Sequence, residues 1–352
     1  MSSYHNISSQ IKSLVLSSGF DLVGISQATK LNDNEYLQAW IDKDYQGEMT
    51  YMEDVRKRSD VRKINKSFKS VITCGINYNS IDNDNTSKSV NETTKGWISR
   101  YATGDDYHKL LEKKLKRITF EIKNLFPFKI EAKYYVDTGP ILERAYASNS
   151  GVGWIGKNSC LINKDIGSWI FLSEILIDQA LDYDEEIKDM CGTCTRCIDA
   201  CPTKAIISEK VIDSNKCISY LNIENKKYID SSLANKFVNN IYGCDICQEI
   251  CPWNRKAKLT DLKTFNTRED LISPDLLNLL DQIENNWDTF KINSPMKRVK
   301  QEGLIRNILI VLGNSSRAEY IPILKKYLNS KNKIHAKTAE DSIRRLSSLI
   351  SS

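Results

Sequence analysis

Histidine is scarce in this chain of 352 residues, with only His5, His108 and His335 present. Three scattered imidazoles suggest neither a catalytic triad nor a histidine-rich metal site. Of the three, His108, within the stretch from Arg100 to His108, is the one expected to line a pocket. Long apolar runs are missing too. The longest, such as Ile305 to Leu312, fall far short of the roughly 18 residues of a membrane span. No apolar signal segment opens the chain, so a soluble, cytoplasmic monomer in a reducing compartment is expected, where disulfides rarely persist. A composition of 41% hydrophobic and 27% charged residues is ordinary for a globular protein. The length allows two or three domains.

Cysteine, by contrast, is abundant. Seven of the ten fall in two runs, Cys191, Cys194, Cys197 and Cys201, then Cys244, Cys247 and Cys251, each ending in Cys-Pro. This is ligand spacing for two cubane iron-sulfur clusters, in which the proline-flanked cysteine of each run crosses to the other cluster. The rule assigns Cys191, Cys194, Cys197 and Cys251 to one cluster. Cys201, Cys244 and Cys247 belong to the second, and Cys217 is the natural fourth ligand. Zinc is the competing metal, but it needs neither the third cysteine nor the Cys-Pro ending. Cys74 and Cys160 stand outside the runs and read as small buried hydrophobes.

A net charge of +5 hides an asymmetry. From residue 289 onward there are 13 Lys and Arg against 4 Asp and Glu, so the tail carries +9 and the remainder −4. Lys297, Arg298, Lys300 and Arg306 lie in this tail. A positive lobe of this kind is the footprint of phosphate-backbone binding, with a solvated basic face as the alternative.

Apolar spacing predicts helices over Ile7–Leu16, Glu35–Tyr45, Tyr107–Phe126 and Ile141–Asn149. Strands are expected over Asp21–Ser26, Val71–Tyr78, Lys129–Val136, Cys160–Asn163 and Ser168–Ile177, with a polar surface stretch over Asn79–Lys95. The fold class is α+β (or α/β). Residues 1–185 form one domain, 186–256 a ferredoxin-type bis-cluster domain stabilised by its metal, and 257–352 a small helical-repeat region of short amphipathic helices.

Gly151 to Gly156 matches G-x-G-x-x-G, but it follows a helix and leads into a strand, the reverse of the nucleotide-binding context. Asp137 is more informative. It ends a strand and precedes Thr138-Gly139-Pro140, where a loop presents side chains to a cleft, although capping of the next helix is the ordinary role for such a residue.

Taken together, the segments Val136 to Arg144, Gly153 to Asn158, Cys191 to Ile206, Cys217 to Leu221 and Gly243 to Asn254 resemble the epoxyqueuosine reductases, in order and over most of the chain. The reductive dehalogenases are similar in outline. The resemblance implies two [4Fe-4S] clusters, a cobalamin in the N-terminal domain, an external low-potential electron donor and a tRNA substrate bearing epoxyqueuosine at the wobble position. It further implies Asp137 as proton donor and as a cofactor contact, with Arg58, Lys157, Asn158, Ser219 and Asp245 around the corrin. The basic tail resembles the family's HEAT-like, tRNA-contacting region. The D-x-H-x-x-G signature of histidine-ligated corrinoid proteins is absent, since Leu111 stands where its glycine belongs. Any cobalamin is therefore expected without a histidine on cobalt. For general acid catalysis, burial should raise the pKa of Asp137. Two rival readings are a small-molecule corrinoid reductase, which has no need of the basic tail, and a non-catalytic electron carrier, in which Asp137 is mere structure.

Overall fold

The computed structural model describes residues 2–80, 93–260, 265 and 267–351, with backbone only for residues 2–5 and 34. Most of the predicted polar stretch, residues 81–92, lies outside the described residues.

Helix α1 (Ser2–Ser17) leads into a sheet built from β1 (Leu22–Gln27), β2 (Ser70–Asn77), β3 (Ala132–Val136) and β4 (Ile170–Ile177). The strand order is β1-β2-β4-β3 and every pairing is antiparallel. That settles α+β over α/β, because no crossover helix links parallel neighbours in this sheet. Central β2 is buried along its whole length, since both faces are covered. On one face Ile72, Cys74 and Ile76 pack with α1 and with Leu111, Leu115, Ile118 and Ile122 of α2 (Tyr107–Asn124). The four-and-three spacing of those leucines and isoleucines puts them on one stripe. On the other face Val71 and Leu176 meet Ala145 and Tyr146 of α3 (Glu143–Asn149). Each such aliphatic side chain contributes about 1.5–3 kcal/mol by leaving water. Helix α3 begins at Glu143, so Pro140 precedes it and does not occupy its first turn.

The glycine-rich stretch behaves as its context demands. It follows α3 and opens the short strand Trp154–Ile155, which pairs with Leu161–Ile162. No helix starts there for a phosphate to meet.

The cysteine-rich segment has little regular structure: single helical turns at Arg196–Asp199 and Ile246–Glu249, a small ribbon, and α4 (Ile218–Ile223). It is tied to the first third of the chain by Trp97–Ile98, which pairs in parallel with Asn240–Tyr242. Beyond it, α5 (Leu276–Asn285), α6 (Lys300–Gly313) and α7 (Lys333–Ser351) form the helical region. Sequence spacing suggests that α6 is amphipathic. In the structure every residue from Leu304 to Gly313 is buried, because α6 packs between α5, α7 and the strand at 240–242. One core joins Ile98, Ile223, Ile241 and Tyr242 to Leu280, Ile308, Leu312 and Leu346. The helical region and the cluster segment are therefore packed as one body, although the sequence divides them at residue 256.

Candidate active site and cluster ligands

Asp137 lies where β3 ends, in the left-handed region at φ +54°, a conformation that aspartate tolerates better than most residues. It does not cap α3. The relation is reversed, because the Asp137 backbone N–H donates to Oε1 of Glu143 at 2.8 Å. The carboxylate points the other way, with its side chain 56% exposed. Its Oδ2 accepts from the Tyr107 hydroxyl at 3.1 Å and lies 3.3 Å from Nε2 of His108. Asp106 caps α2 through the His108 N–H, and this sets Tyr107 and His108 in the first turn facing the end of β3. The Tyr107 ring is held by stacking on Phe171 of β4, at 4.0 Å between centroids.

The electrostatics correct one expectation. The Asp137 pKa is lowered, chiefly by His108, and burial does not offset this. The His108 pKa rises to about 9 because Asp106 and Asp137 both favour its charged form. At neutral pH the proton of this pair therefore sits on His108. Behind the loop the balance is opposite. Glu174 of β4 is wholly buried, and burial, with Glu143 next to it, pushes its carboxyl far up. The Glu143 carboxyl is pushed up to about 7, again mainly by burial.

Cys191, Cys194, Cys197 and Cys251 line one small cavity of about 40 Å³, together with Lys157, Asn158 and Trp253. The crossing cysteine thus meets the three it is assigned to. Four thiols ringing a space is the donor set of a cubane. In the second group, the Cys217 and Cys244 thiols are pushed up by burial first and then by neighbouring sulfurs, Cys201 among them. Cys217 therefore sits with Cys201, Cys244 and Cys247. The Ala205 N–H donates to the Cys201 sulfur at 3.2 Å. Gly243 makes the turn into this group at φ +70°, where a Cβ would meet the Ser99 hydroxyl at 2.1 Å. Cys74 is buried in the sheet core as expected, but Cys160 is not inert packing. Its thiol contacts that of Cys247, so it stands beside the second cysteine group.

The remaining predicted residues are distributed as follows. Arg58 donates to the carbonyls of Gly139 at 3.2 Å and Tyr51 at 3.0 Å, so it braces the Asp137 loop. Lys157 is buried and paired with Glu209 at 2.7 Å. Asn158 is buried and donates to the Cys247 carbonyl at 3.2 Å, between the two cysteine groups. Ser219 is half-buried in α4, two residues past Cys217. Asp245 is buried, and its Oδ2 accepts from the Arg100 N–H at 2.8 Å and the Trp97 indole at 3.3 Å. It is a strut between strand Trp97–Ile98 and the cluster loop.

In the basic region, Lys297, Arg298 and Lys300 are exposed. Lys297 pairs with Asp106 at 2.5 Å, and Arg298 forms a two-point pair with Glu224 at 2.9 and 3.0 Å. Arg306 is a correction. It is 1% exposed, and its guanidinium is spent on the carbonyls of Leu221, Asn225 and Lys227, so it cannot reach a phosphate. Sequence reasoning missed Tyr107, Glu143 and Glu174 as parts of the site. Glu143 stands within the quoted Val136-to-Arg144 segment, and an acid in the middle of the apolar Ile170–Ile177 run was the signal for Glu174.

Among the described residues, no helix is long and apolar enough to cross a membrane. Residues 58–138 match the family model described as Epoxyqueuosine reductase QueG, DUF1730, and residues 190–254 match a 4Fe-4S double cluster binding domain. The chain is 40% identical over 290 residues to an epoxyqueuosine reductase of Synechocystis, covering 81% of this chain and 98% of the relative. Among solved structures, an epoxyqueuosine reductase with an epoxyqueuosine-modified tRNA-Tyr stem loop superposes with a TM-score of 0.88 at 26% identity, over 97% of this chain and 91% of that one. The Bacillus subtilis epoxyqueuosine reductase, in a form with its catalytic aspartate loop swung out of the active site, has a TM-score of 0.87 at 25% identity, with the same coverage. Matching sequence, matching architecture and a double-cluster cysteine segment lead to one conclusion: the chain belongs to the epoxyqueuosine reductase family.

Proposed function

We propose that this protein reduces the epoxide of epoxyqueuosine in tRNA to the alkene of queuosine, with Asp137 as the proton donor. The reaction takes two electrons and two protons, cleaves both C–O bonds of the epoxide and releases water. The observation that carries this reading is the Asp137 carboxylate, open to the outside and backed by the protonated His108 and the Tyr107 hydroxyl. The relative solved with an epoxyqueuosine-modified stem loop supports the substrate. The eight cysteines named above would hold two [4Fe-4S] clusters, which pass electrons one at a time from an external low-potential donor.

A cobalamin would be held by Arg58, which braces the Asp137 loop, by Lys157 and Asn158 at the first cysteine group, and by Ser219 in α4. Arg58 and Lys157 offer cations, Asn158 an amide and Ser219 a hydroxyl, donors suited to a corrinoid's amide arms and phosphate. The two histidines whose side chains are described are engaged within the fold, His108 by Asp106 and Asp137 and His335 by the Glu302 carbonyl at 2.8 Å. When bound, a cobalamin would supply a centre able to store two electrons and to act as a nucleophile.

The protein's own part is proton handling and positioning. His108 Nε2 holds a proton against Asp137 Oδ2, Asp137 passes it to the epoxide oxygen as negative charge develops there, and Tyr107 keeps the carboxylate oriented. The exposed Lys297, Arg298 and Lys300 suit the phosphates of the tRNA. Incubating the reduced holoprotein with epoxyqueuosine-bearing tRNA and analysing the nucleosides tests the reading. D137N should cut turnover by about 10²- to 10⁴-fold with cluster absorption unchanged. Parental turnover in D137N removes the proton-donor role, and unchanged tRNA with the parent protein removes the function.

A further inference from the structure

Strand β4 carries an acid where a strand covered on both faces ordinarily carries an apolar side chain. Glu174 lies opposite Thr73 of β2 and Tyr135 of β3, is 0% exposed, and receives no hydrogen from a donor at either oxygen. The group it meets is the carboxyl of Glu143 at the start of α3. A buried carboxyl group in contact with a half-buried one is stable only if a proton lies between them, because two negative charges there would repel with little solvent to screen them. Glu143 also faces the catalytic loop, where its Oε1 accepts the N–H of Asp137 at 2.8 Å. That N–H belongs to a residue in the left-handed region at φ +54°, which costs free energy even where aspartate tolerates it.

We propose that Glu143 and Glu174 form a proton-sharing latch, with Glu143 as a positioning residue that holds the Asp137 loop in its working conformation. Its catalytic consequence rests on the reading of Asp137 as proton donor. The shared proton keeps Glu143 beside Glu174, and Glu143 in turn pins the backbone that aims the Asp137 carboxylate at the cleft. When both acids ionise, repulsion separates them and the pin is withdrawn. The ionisable groups facing this spot are Asp137 on the loop, Tyr107 and His108 on α2, Arg144 on α3, Arg58 against Gly139, and Cys74 on β2. None of them donates to Glu174.

Amide hydrogen exchange of the peptide containing Asp137, in the protein as isolated, reads the latch without turnover. In E143A that amide should exchange at least about tenfold faster, and kcat should fall about 10- to 100-fold with KM little changed. E143Q should restore the protection and part of the lost kcat, because its amide oxygen accepts the Asp137 N–H while its NH₂ donates to Glu174. Corrected for intrinsic rates, protection in the parent should hold as pH rises through about 7, where the pair passes to one shared proton. It should decline only at higher pH, when that last proton leaves Glu174, whose carboxyl is pushed well above its ordinary value, while E143Q stays flat. Parental protection in E143A, or the same decline in E143Q, overturns the proposal. The two readings fail separately. An active D137N removes the proton donor and leaves the exchange result standing, whereas unchanged exchange in E143A removes the latch whatever D137N does.

Discussion

Replacing Arg306 with alanine separates the basic residues that face outward from those that hold the interior. The Arg306 guanidinium donates to the carbonyls of Leu221 at 2.9 Å and of Asn225 and Lys227 at 2.7 Å, and also to Oδ1 of Asn307. Burial alone draws its pKa down to about 10, and no carboxylate pairs with it among the described ion pairs. Truncation leaves three carbonyls without that donor, at roughly 1–2 kcal/mol each, so R306A should lose roughly 3–6 kcal/mol. With an unfolding entropy of about 2 cal/mol/K per residue, a chain of this size melting in one transition should drop by about 5 °C. Anaerobic thermal melts measure this. Binding of a tRNA stem loop at several salt concentrations measures the other side. The slope of log Kd against log salt should be unchanged in R306A and should shrink by about one in K300A. A variant that melts like the parent while its salt slope falls would refute the structural role and return Arg306 to the nucleic-acid face.

Two further outcomes follow from the site. C217A should lose about half of the iron and labile sulfide, whereas C74A and C160A keep both clusters. Full iron in C217A together with loss in C160A would make Cys160 the fourth ligand of the second cluster. The pKa of His108 is raised on folding, from an ordinary 6.5 to about 9. Its contribution to stability is therefore fully present below about pH 6.5 and is lost as pH rises through about 9. Melting temperatures compared over that range should show the parent falling relative to H108Q, and parallel curves would remove the charge pairing.

What the sequence made legible was whatever repeats or is spaced. The thiolate pattern was readable because a cubane imposes fixed ligand distances on nearby residues, and α2 was readable because Leu111 to Ile122 form one stripe. Asp137 could be singled out by its strand-end position, but its ionisation could not. That depends on His108, 29 residues earlier in the chain, which only the packing of α2 on β3 brings within 3.3 Å. The same limit explains Arg306. Its charge read as surface, because nothing local announces that three carbonyls 79 to 85 residues away will surround it. Glu174 was passed over within an otherwise apolar strand, and its partner Glu143 drew attention only as part of a motif.

The stitch between Trp97–Ile98 and Asn240–Tyr242, fastened by Asp245 beneath the Trp97 indole, has a practical consequence. The loop bearing Cys244 and Cys247 cannot loosen without disturbing an aromatic ring contributed by the first third of the polypeptide. Iron loss at that loop should therefore change the emission of Trp97, which gives the protein a built-in optical gauge of whether its metal is intact.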